Sequence, residues 1–492
     1  MTNGSKKSES PIRAMRLANN AAMAAAESAE QRGDAKGNAS KANTRRTQSR
    51  KSVSSGLARV RKLAKEQQKL RFTALMHHLT VDLLRQSYFL LKRDAAPGVD
   101  GVTWKAYGEQ LEEHLPDPHA RVHRGAYRAL PSRRKMIPKP DGRERPLGIA
   151  SLEDKIVQRA MVEILNAIYE EDFLGFSYGF RPGRGQHDAL DALAYAITRT
   201  PVNWILDADI RSYFDTVNHD WLIRFLEHRI GDNRVIRLIR KWLKAGVMEE
   251  QGLTPTLMGT PQGSVISPLL ANVYLHYCFD LWACRWRRKR ASGNIVFVRY
   301  ADDLVIGAEK YEDAKTITAE LRDRFAMFGL TLHPEKTRLI EFGKWAEERR
   351  QRRGQGRPAT FTFLGFLHVC AKSRQGRFLL RRQTRPDRMR VTLHAIKEQL
   401  RRRMHESVEA HGQWLRRVVR GYFAYHSVPT NAPTMAVFRH RVIRLWRHAL
   451  SRRSQNAYIP WRTMEAIAKC WLPTVRVNHP WPQDRFLATH PR

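Results

Sequence analysis

Two adjacent carboxylates, Asp302 and Asp303, stand between two short apolar segments of this chain, residues 295–298 and 304–306. Short apolar runs on either side of a brief polar interruption are typical of a β-hairpin, and Asp is a common turn residue. The pattern therefore predicts a hairpin that carries both carboxylates at its tip. Taken alone, the pair is equally consistent with a polar turn that has no chemical role.

A third carboxylate, Asp209, follows the apolar residues 204–206 further upstream. Nucleotidyl transfer with two divalent ions needs carboxylates that converge from separate strands, because each ion must also bind substrate oxygens. Asp209 and Asp302 fit that need. Mg²⁺ suits such a sparse site, since it keeps several waters and takes only one or two protein carboxylates. For Asp207 and Asp215 we favour the ordinary interpretation, capping or surface charge.

The charge balance indicates the class of partner. The 492 residues include 87 Lys plus Arg against 48 Asp plus Glu, which gives a formal net charge of +39. A surface of this kind neutralises phosphates and releases their counterions, so nucleic acid is the expected ligand. Attraction to a membrane is the rival explanation, but no apolar run approaches the ~20 residues that span a bilayer.

The cysteines argue against a disulfide framework and against a zinc site. The chain has 4 of them, with no Cys-x-x-Cys pair and no regular spacing. A reducing compartment is the simplest inference. They are Cys278, Cys284, Cys370 and Cys470.

Residues 1–55 combine Ala, Ser, Asn, Lys and Arg in no periodic order and have almost no large apolar side chains. Such a segment cannot bury enough surface to fold alone, so we predict a disordered basic tail. It has no continuous apolar core and therefore does not match a secretory signal, while an organellar transit peptide stays open. Helical periodicity begins near residue 57.

Pro140, Asp141 and Gly142 separate two short extended runs. This pattern predicts a hairpin with Lys139 and Arg145 on its two arms. Two cations in that arrangement are suited to clamp a triphosphate. The alternative is a solvated basic hairpin that touches the backbone of a template.

A loop rich in glycine and proline, residues 258–264, leads into an apolar helix. Its glycines permit a close approach of the backbone to a ligand. Gln262 in this loop is suited to hydrogen-bond a sugar or a base, and a plain turn residue is the alternative.

Taken together, these segments resemble the right-hand polymerase fold of reverse transcriptases, and in particular the group II intron-encoded reverse transcriptase/maturase family. The resemblance covers roughly residues 85–475. It rests on seven blocks in the family's order, residues 138–148, 176–182, 209–214, 261–272, 300–303, 332–337 and 363–366.

The resemblance implies an α+β fold. Fingers and palm with antiparallel sheet would occupy residues 56–370, and an α-helical thumb, the maturase (X) domain, residues 371–475. Residues 476–492 would form a C-terminal tail that looks like the ending of bacterial members without an endonuclease domain.

The resemblance also implies site residues. Asp209, Asp302 and Asp303 would be the catalytic residues and would hold two Mg²⁺ ions, with Mn²⁺ as a substitute. Phe214 would exclude a 2′-hydroxyl, although a core aromatic is the ordinary alternative. The implied dNTP-binding residues are Lys139, Arg145, Phe214, Gln262 and Lys336, and the implied primer grip is Leu364, Gly365 and Phe366.

A strongly basic helical region follows residue 370. In residues 437–450 one helical face is apolar and the remainder is rich in arginine. A helix of this kind suits a thumb that tracks a nucleic-acid backbone, so we predict RNA binding; a solvated charged face is the alternative. The four arginines are Arg439, Arg441, Arg444 and Arg447.

The implied function is an RNA-directed DNA polymerase and maturase that binds its group II intron RNA, assists splicing and copies the intron into DNA during retrohoming. Its partners would be intron RNA, an RNA template, a DNA primer or target and dNTPs, in a ribonucleoprotein of the bacterial cytoplasm and nucleoid, with no membrane. A homodimer stays open. The alternatives are an RNA-binding splicing cofactor and a reverse transcriptase no longer tied to a mobile intron; retron and diversity-generating enzymes fit less well.

Overall fold

The computed structural model describes residues 44–138, 144–249, 252–256, 258–453 and 458–489. Helix α1, Thr44–Glu66, begins inside the segment for which we predicted disorder, so that prediction is wrong for residues 44–55. Val60 and Ala64 are buried against the core. A helix anchored by such packed turns extends cooperatively into the residues before them. Residues 1–43 of the predicted tail lie outside the described residues.

Helices dominate the region before the central sheet, and α1 and the helix Val81–Leu90 pack on the long buried helix Leu152–Asp172. The elements are α2 (Val81–Leu90), α3 (Trp104–Glu109), α4 (Leu111–His114), α5 (Pro116–His123), β1 (Ser132–Pro138), β2 (Glu144–Ile149), α6 (Leu152–Asp172) and α7 (Gln186–Arg199). The N-cap Ser151 of α6 accepts a hydrogen bond from the backbone N–H of Asp154, which begins the helix.

The middle of the chain supplies the central sheet and the helices beside it. The elements are β3 (Trp204–Asp209), α8 (Tyr213–Thr216), α9 (His219–Glu227), α10 (Asn233–Lys244), β4 (Val247–Glu249), β5 (Gly252–Thr254), α11 (Ser267–Leu275), α12 (Leu281–Lys289), β6 (Ile295–Tyr300), β7 (Asp303–Ala308), α13 (Tyr311–Ala326) and β8 (Arg338–Glu341). A π-helical turn, His276–Asp280, joins α11 to α12.

The central sheet has the strand order β6-β7-β3-β8, and every neighbouring pair is antiparallel. Strand β7 is buried at each residue after Asp303. A second sheet, β2-β1-β4-β5, contains the β1–β2 hairpin and a short parallel pairing between β1 and β4. The mixture of helices with mainly antiparallel sheets confirms the predicted α+β class.

A small antiparallel sheet and a helical cluster complete the chain. The elements are α14 (Ala346–Arg352), β9 (Phe361–Phe363), β10 (Phe366–Lys372), β11 (Phe378–Thr384), α15 (Pro386–Arg402), α16 (Val408–His426), α17 (Ala432–Ser451), α18 (Trp461–Trp471) and α19 (Pro482–Thr489). The proposed boundary at residue 370 falls inside β10, and the helical cluster begins at Pro386.

The helical cluster has its own core, which includes Leu400, Val442 and Trp446. The last helix, α19, lies in the segment predicted as a tail and packs on α7. There Arg485 donates to the Asp188 carboxylate at 2.6 Å. That hydrogen bond joins residues far apart in the chain, so no local pattern could have indicated it. In the part of the chain that the structure describes, no helix is both long enough and apolar enough to cross a membrane.

Candidate active site

The β6–β7 hairpin carries Asp302 and Asp303 at its tip. Tyr300 pairs with Asp303, so the turn between the strands consists of Ala301 and Asp302 alone. Ala301 has a φ of 56°, a left-handed conformation that is unfavourable for a residue with a Cβ. The predicted hairpin is confirmed, and the surrounding structure holds its turn in a strained conformation.

Asp209 ends β3 directly beside this hairpin. It is the Cα partner of Asp303 in the antiparallel pairing of β3 with β7. Side chains at directly opposed positions lie on the same face of a sheet. The two strands therefore bring together Asp209 and the hairpin, which are distant in the chain. The residue directly opposite Asp209 is Asp303, whereas from the sequence we had paired Asp209 with Asp302.

The carboxylates oppose one another's ionisation. Loss of hydration raises the pKa of Asp303 to about 7, and the negative charges of Asp302, Asp209 and Asp207 act in the same direction. Asp303 itself is exposed and lines the cleft, where it lies among these negative charges. A divalent cation would relieve this repulsion, which is a property expected of a cation-binding cluster.

Lys336 lies against the cluster. Its Nζ is 2.7 Å from Oδ2 of Asp209, and its side chain is 52% exposed. An ion pair this exposed contributes about 0–1 kcal/mol to stability. The lysine is therefore free to exchange Asp209 for another anion, such as a substrate phosphate.

Asp209 and Asp303 line a cleft of about 1270 Å³, whereas Asp302 is not among its lining residues. Asp207, which we had interpreted as capping or surface charge, lines this cleft, and loss of hydration raises its pKa to about 6. That interpretation is corrected: Asp207 belongs to the acidic side of the cleft. The opposite charge is supplied by Lys336, Arg338, Arg385, Arg388 and Arg390.

Except for Lys336, these cations were absent from the predicted site. Arg338 is the first residue of β8, and Arg385 directly follows β11. A basic residue at the end of a strand is only a weak indication of a phosphate-binding site, because its position depends on which strands lie side by side in the fold. Cations beside a carboxylate cluster suit a polyphosphate ligand held through divalent ions.

Phe214 and Gln262 lie on two segments that are tied together. The backbone carbonyl of Phe214 accepts a 2.7 Å hydrogen bond from Thr260, and Gln262 donates through Nε2 to Asp215 at 3.1 Å. The side chain of Phe214 is 8% exposed and belongs to the core. The structure thus places these two predicted residues on segments that are hydrogen-bonded to each other, and Phe214 is almost entirely buried.

Two of the predicted primer-grip residues, Leu364 and Gly365, form the turn between β9 and β10, and the third, Phe366, begins β10. Leu364 and Gly365 line the cleft, whereas Phe366 is fully buried and stacks on Tyr425. The hydroxyl of Tyr425 donates to the carbonyl of Leu364 at 2.8 Å. The turn is therefore held by Tyr425 of α16, a residue whose contact with the primer grip we had not predicted.

Of the two cations predicted on the fingers hairpin, only one lies among the described residues. Lys139 lies outside the described residues. Arg145 is in β2, where it pairs with Ile137 in the predicted β1–β2 hairpin.

The four predicted RNA-binding arginines divide into two pairs. Arg439 and Arg447 donate to carbonyl groups of Pro473 and Ile459, at 3.1 and 2.7 Å, and so tie α17 to the segments around α18. Arg441 and Arg444 are exposed and line a groove of about 570 Å³. The arginine pattern alone could not separate these roles, because it does not show which neighbouring segments pack against the helix.

The donor set fits Mg²⁺ better than a softer metal. Among the described residues, no group of three or more His, Cys, Asp or Glu side chains already stands at the spacing of a complete metal site. Asp209, Asp302 and Asp303 offer only carboxylate oxygens, and Asp209 and Asp303 line a cleft that leaves room for water and for phosphate. That combination is characteristic of Mg²⁺, which rarely takes an all-protein cage.

Comparison with known proteins agrees with this geometry. Residues 137–368 match the family described as reverse transcriptase (RNA-dependent DNA polymerase). That range contains β3, the β6–β7 hairpin and Lys336.

Among curated proteins, the chain is similar to protein YkfC of Escherichia coli, with 38% identity over 43% of this chain and 62% of the relative. It is 35% identical to group II intron-encoded protein LtrA of Lactococcus lactis, over 45% of this chain and 37% of the relative. It is also 27% identical to nuclear intron maturase 3 of Arabidopsis thaliana, over 36% and 27%. The chain thus spans less than two thirds of the length of each of these relatives.

Proposed function

Because the chain belongs to the group II intron-encoded reverse transcriptase/maturase family, we propose that it is an RNA-directed DNA polymerase that also assists the splicing of an intron RNA. The observation that carries the proposal is the direct pairing of Asp209 with Asp303, both of which line the large basic cleft. Template-directed nucleotidyl transfer is the reaction that such a carboxylate pair, facing phosphate-binding cations, serves best.

Asp209, Asp302 and Asp303 would hold two Mg²⁺ ions. The ions would supply an activated primer 3′-hydroxyl and charge neutralisation of the departing pyrophosphate. The protein's own part is positioning: two strands and a two-residue turn hold the carboxylates, and the raised pKa of Asp303 makes cation binding sensitive to protons.

The remaining predicted residues would bind the nucleotide and the primer. Lys139 and Arg145 would grip the triphosphate from the β1–β2 hairpin, and Lys336 would change partner from Asp209 to a phosphate. Gln262 and the exposed edge of Phe214 would contact the sugar. Because Phe214 is tied to the Gln262 loop through Thr260, the two would select deoxyribose together.

RNA binding would use the cleft and the helical cluster. Arg441 and Arg444 are the predicted arginines whose guanidinium groups remain exposed, so they would contact RNA phosphates. The resemblance to intron-encoded proteins supports a group II intron as that RNA, and copying of the intron during retrohoming as its consequence. A splicing cofactor without polymerase activity is the second candidate, which similarity to a protein named nuclear intron maturase 3 favours.

One experiment on cells separates these activities. RNA crosslinked to the full-length protein would be recovered in high salt, which suppresses nonspecific phosphate contacts, and sequenced. We expect one structured RNA that contains this protein's coding region. Splicing of that RNA should persist in Asp302→Asn, because the substitution leaves the basic surfaces intact. Recovery of a scatter of unrelated transcripts would overturn the maturase half of the proposal.

A further inference from the structure

A fully buried ion pair lies directly behind the catalytic hairpin. Arg299 of β6 and Asp280 at the end of the π-helical turn each have a 0% exposed side chain. The Arg299 guanidinium donates through Nε to Oδ1 at 2.7 Å and through Nη2 to Oδ2 at 2.5 Å. This is the bidentate geometry in which an arginine is most strictly oriented.

The third nitrogen of Arg299 reaches the turn itself. Its Nη1 donates to the backbone carbonyl of Ala301 at 3.2 Å and to Oδ1 of Asn272 at 3.0 Å. Ala301 is the strained residue that precedes Asp302. The Arg299 guanidinium thus connects the buried Asp280 carboxylate to the backbone of the turn that carries Asp302.

Asn272 supports the turn from a second direction. Its Nδ2 donates to the carbonyl of Gly179 at 2.7 Å. Gly179 is pressed against the turn so closely that an added Cβ would lie 2.3 Å from the backbone nitrogen of Ala301. Asn272 therefore joins the guanidinium to the loop that backs the turn, and the turn is enclosed on both sides.

Stability alone is a poor explanation for this arrangement. Removing two charges from water is costly, and buried ion pairs can often be replaced by apolar side chains of similar volume with neutral or favourable effect. The location points elsewhere, because the arginine's hydrogen bonds converge on the residue next to a carboxylate. π-helical turns such as the one that carries Asp280 are also frequent at functional sites.

We propose that Arg299, Asp280 and Asn272 are positioning residues that fix the Ala301 turn and thereby hold the Asp302 and Asp303 carboxylates opposite Asp209. The proposal rests on the proposed polymerase function. It assigns these residues to the ligand geometry of the cation site, through the backbone of one turn, and not to contact with substrate.

The test replaces the buried pair by apolar residues in the full-length protein, as the double variant Arg299→Met with Asp280→Leu. This variant removes the hydrogen bond to Ala301 without leaving a buried charge unpaired. Binding of Mn²⁺ to the protein alone would be measured by electron paramagnetic resonance of the free ion. The Mg²⁺ concentration that gives half-maximal primer extension and the melting temperature would also be measured.

We expect a melting temperature close to that of the wild type together with Mn²⁺ binding weakened about 10- to 100-fold, the range found when the supports of metal ligands are removed. The Mg²⁺ requirement should rise in parallel. The matched control is Arg382→Met with Asp191→Leu, a pair of 3% and 9% exposed side chains that bond at 2.8 Å between β11 and α7. It should bind Mn²⁺ as the wild type does.

A stable double variant with the Mn²⁺ affinity and Mg²⁺ requirement of the wild type would overturn the positioning role. If the double variant does not fold, the single variant Asn272→Ser takes its place in the test. The folded Asn272→Ser protein should require more Mg²⁺ for primer extension than the wild type. An unchanged Mg²⁺ requirement would refute the proposal. Failure of the wild type to extend any primer, with Mn²⁺ binding intact, would instead refute the polymerase function.

Discussion

The carboxyl group of Asp303 is surrounded by charges that oppose its own ionisation, and this gives the site a specific response to pH. Its pKa is raised to about 7, first by loss of hydration and then by Asp302, Asp209 and Asp207. Below that pH a proton occupies the group in the cation-free protein, and a cation must displace it. Above that pH the carboxylate is already charged.

Cation binding should therefore strengthen as the pH rises from 6 to 8. The direction follows because the protonated form dominates below the raised pKa and competes with the cation. The apparent affinity for Mn²⁺, measured at several pH values, should change by about tenfold per unit below pH 7 and level off above it. Asp303→Asn should bind more weakly with a flatter pH profile, whereas Asp220→Asn in α9 should retain the wild-type profile. An affinity independent of pH in the wild type would contradict this account.

Helix α16 offers a matched test of packing at the scale of one element. It contains two glycines, Gly412 and Gly421. An added Cβ at Gly412 would lie 2.4 Å from the ring of Trp471 in α18, whereas one at Gly421 would meet nothing within 4 Å. Gly412→Ala should destabilise by about 1–3 kcal/mol through overpacking, and Gly421→Ala should stabilise by up to about 1 kcal/mol. Urea unfolding of both variants checks the difference; equal effects would show that α16 and α18 do not pack as described.

The arginines of α17 provide the second test at this scale. Arg441→Ala with Arg444→Ala should weaken RNA binding and lower the slope of log affinity against log salt by about 1 for each phosphate that the variant no longer neutralises. Arg447→Ala should mainly lower stability, because Arg447 donates to the Ile459 carbonyl and lies 4.7 Å over the ring of Trp461. RNA titrations at several salt concentrations and urea unfolding separate the two effects. An unchanged salt slope in the double variant would remove these residues from the interface.

How far the sequence could predict each element depends on how local its cause is. The β6–β7 hairpin was predictable because two short apolar runs and the Asp-containing turn between them lie within a dozen residues. The pairing of Asp209 with Asp303 was not predicted, since strand order is not a local property; from the sequence we had paired Asp209 with Asp302 instead. The bond between Arg299 and Asp280 and the docking of α19 on α7 were missed, because burial of an arginine leaves no periodic signature.

Buried histidines affect how the stability of the whole molecule depends on pH. Burial lowers the pKa of His276 to about 4, of His368 to about 3 and of His426 to about 4. A histidine in the unfolded chain titrates near 6.5. Between these values each of these histidines binds more protons in the unfolded chain than in the folded chain, so their contribution to the free energy of unfolding falls as the pH drops below about 6.5.

The histidine contribution to the unfolding free energy should therefore be lower at pH 5 than at pH 7.5, as measured by urea unfolding, while the raised pKa values of Asp207 and Asp303 act in the opposite direction. His368→Phe should reduce this difference, because His368 is fully buried and already stacks on Phe361 at 4.7 Å, a contact that a phenyl ring preserves. His405→Gln, at an exposed position, should leave the difference unchanged. Equal pH dependence in wild type and His368→Phe would show that this group does not govern acid stability.

The most direct test of the central claim is primer extension on an RNA template by the purified full-length protein with dNTPs and Mg²⁺. The wild type should extend the primer, and Asp209→Asn should lower the rate by at least about a thousandfold, since loss of metal-ion stabilisation removes several kcal/mol from the transition state. Asp220→Asn, on the surface of α9, should extend normally. Extension by Asp209→Asn at the wild-type rate would contradict the assignment of the site.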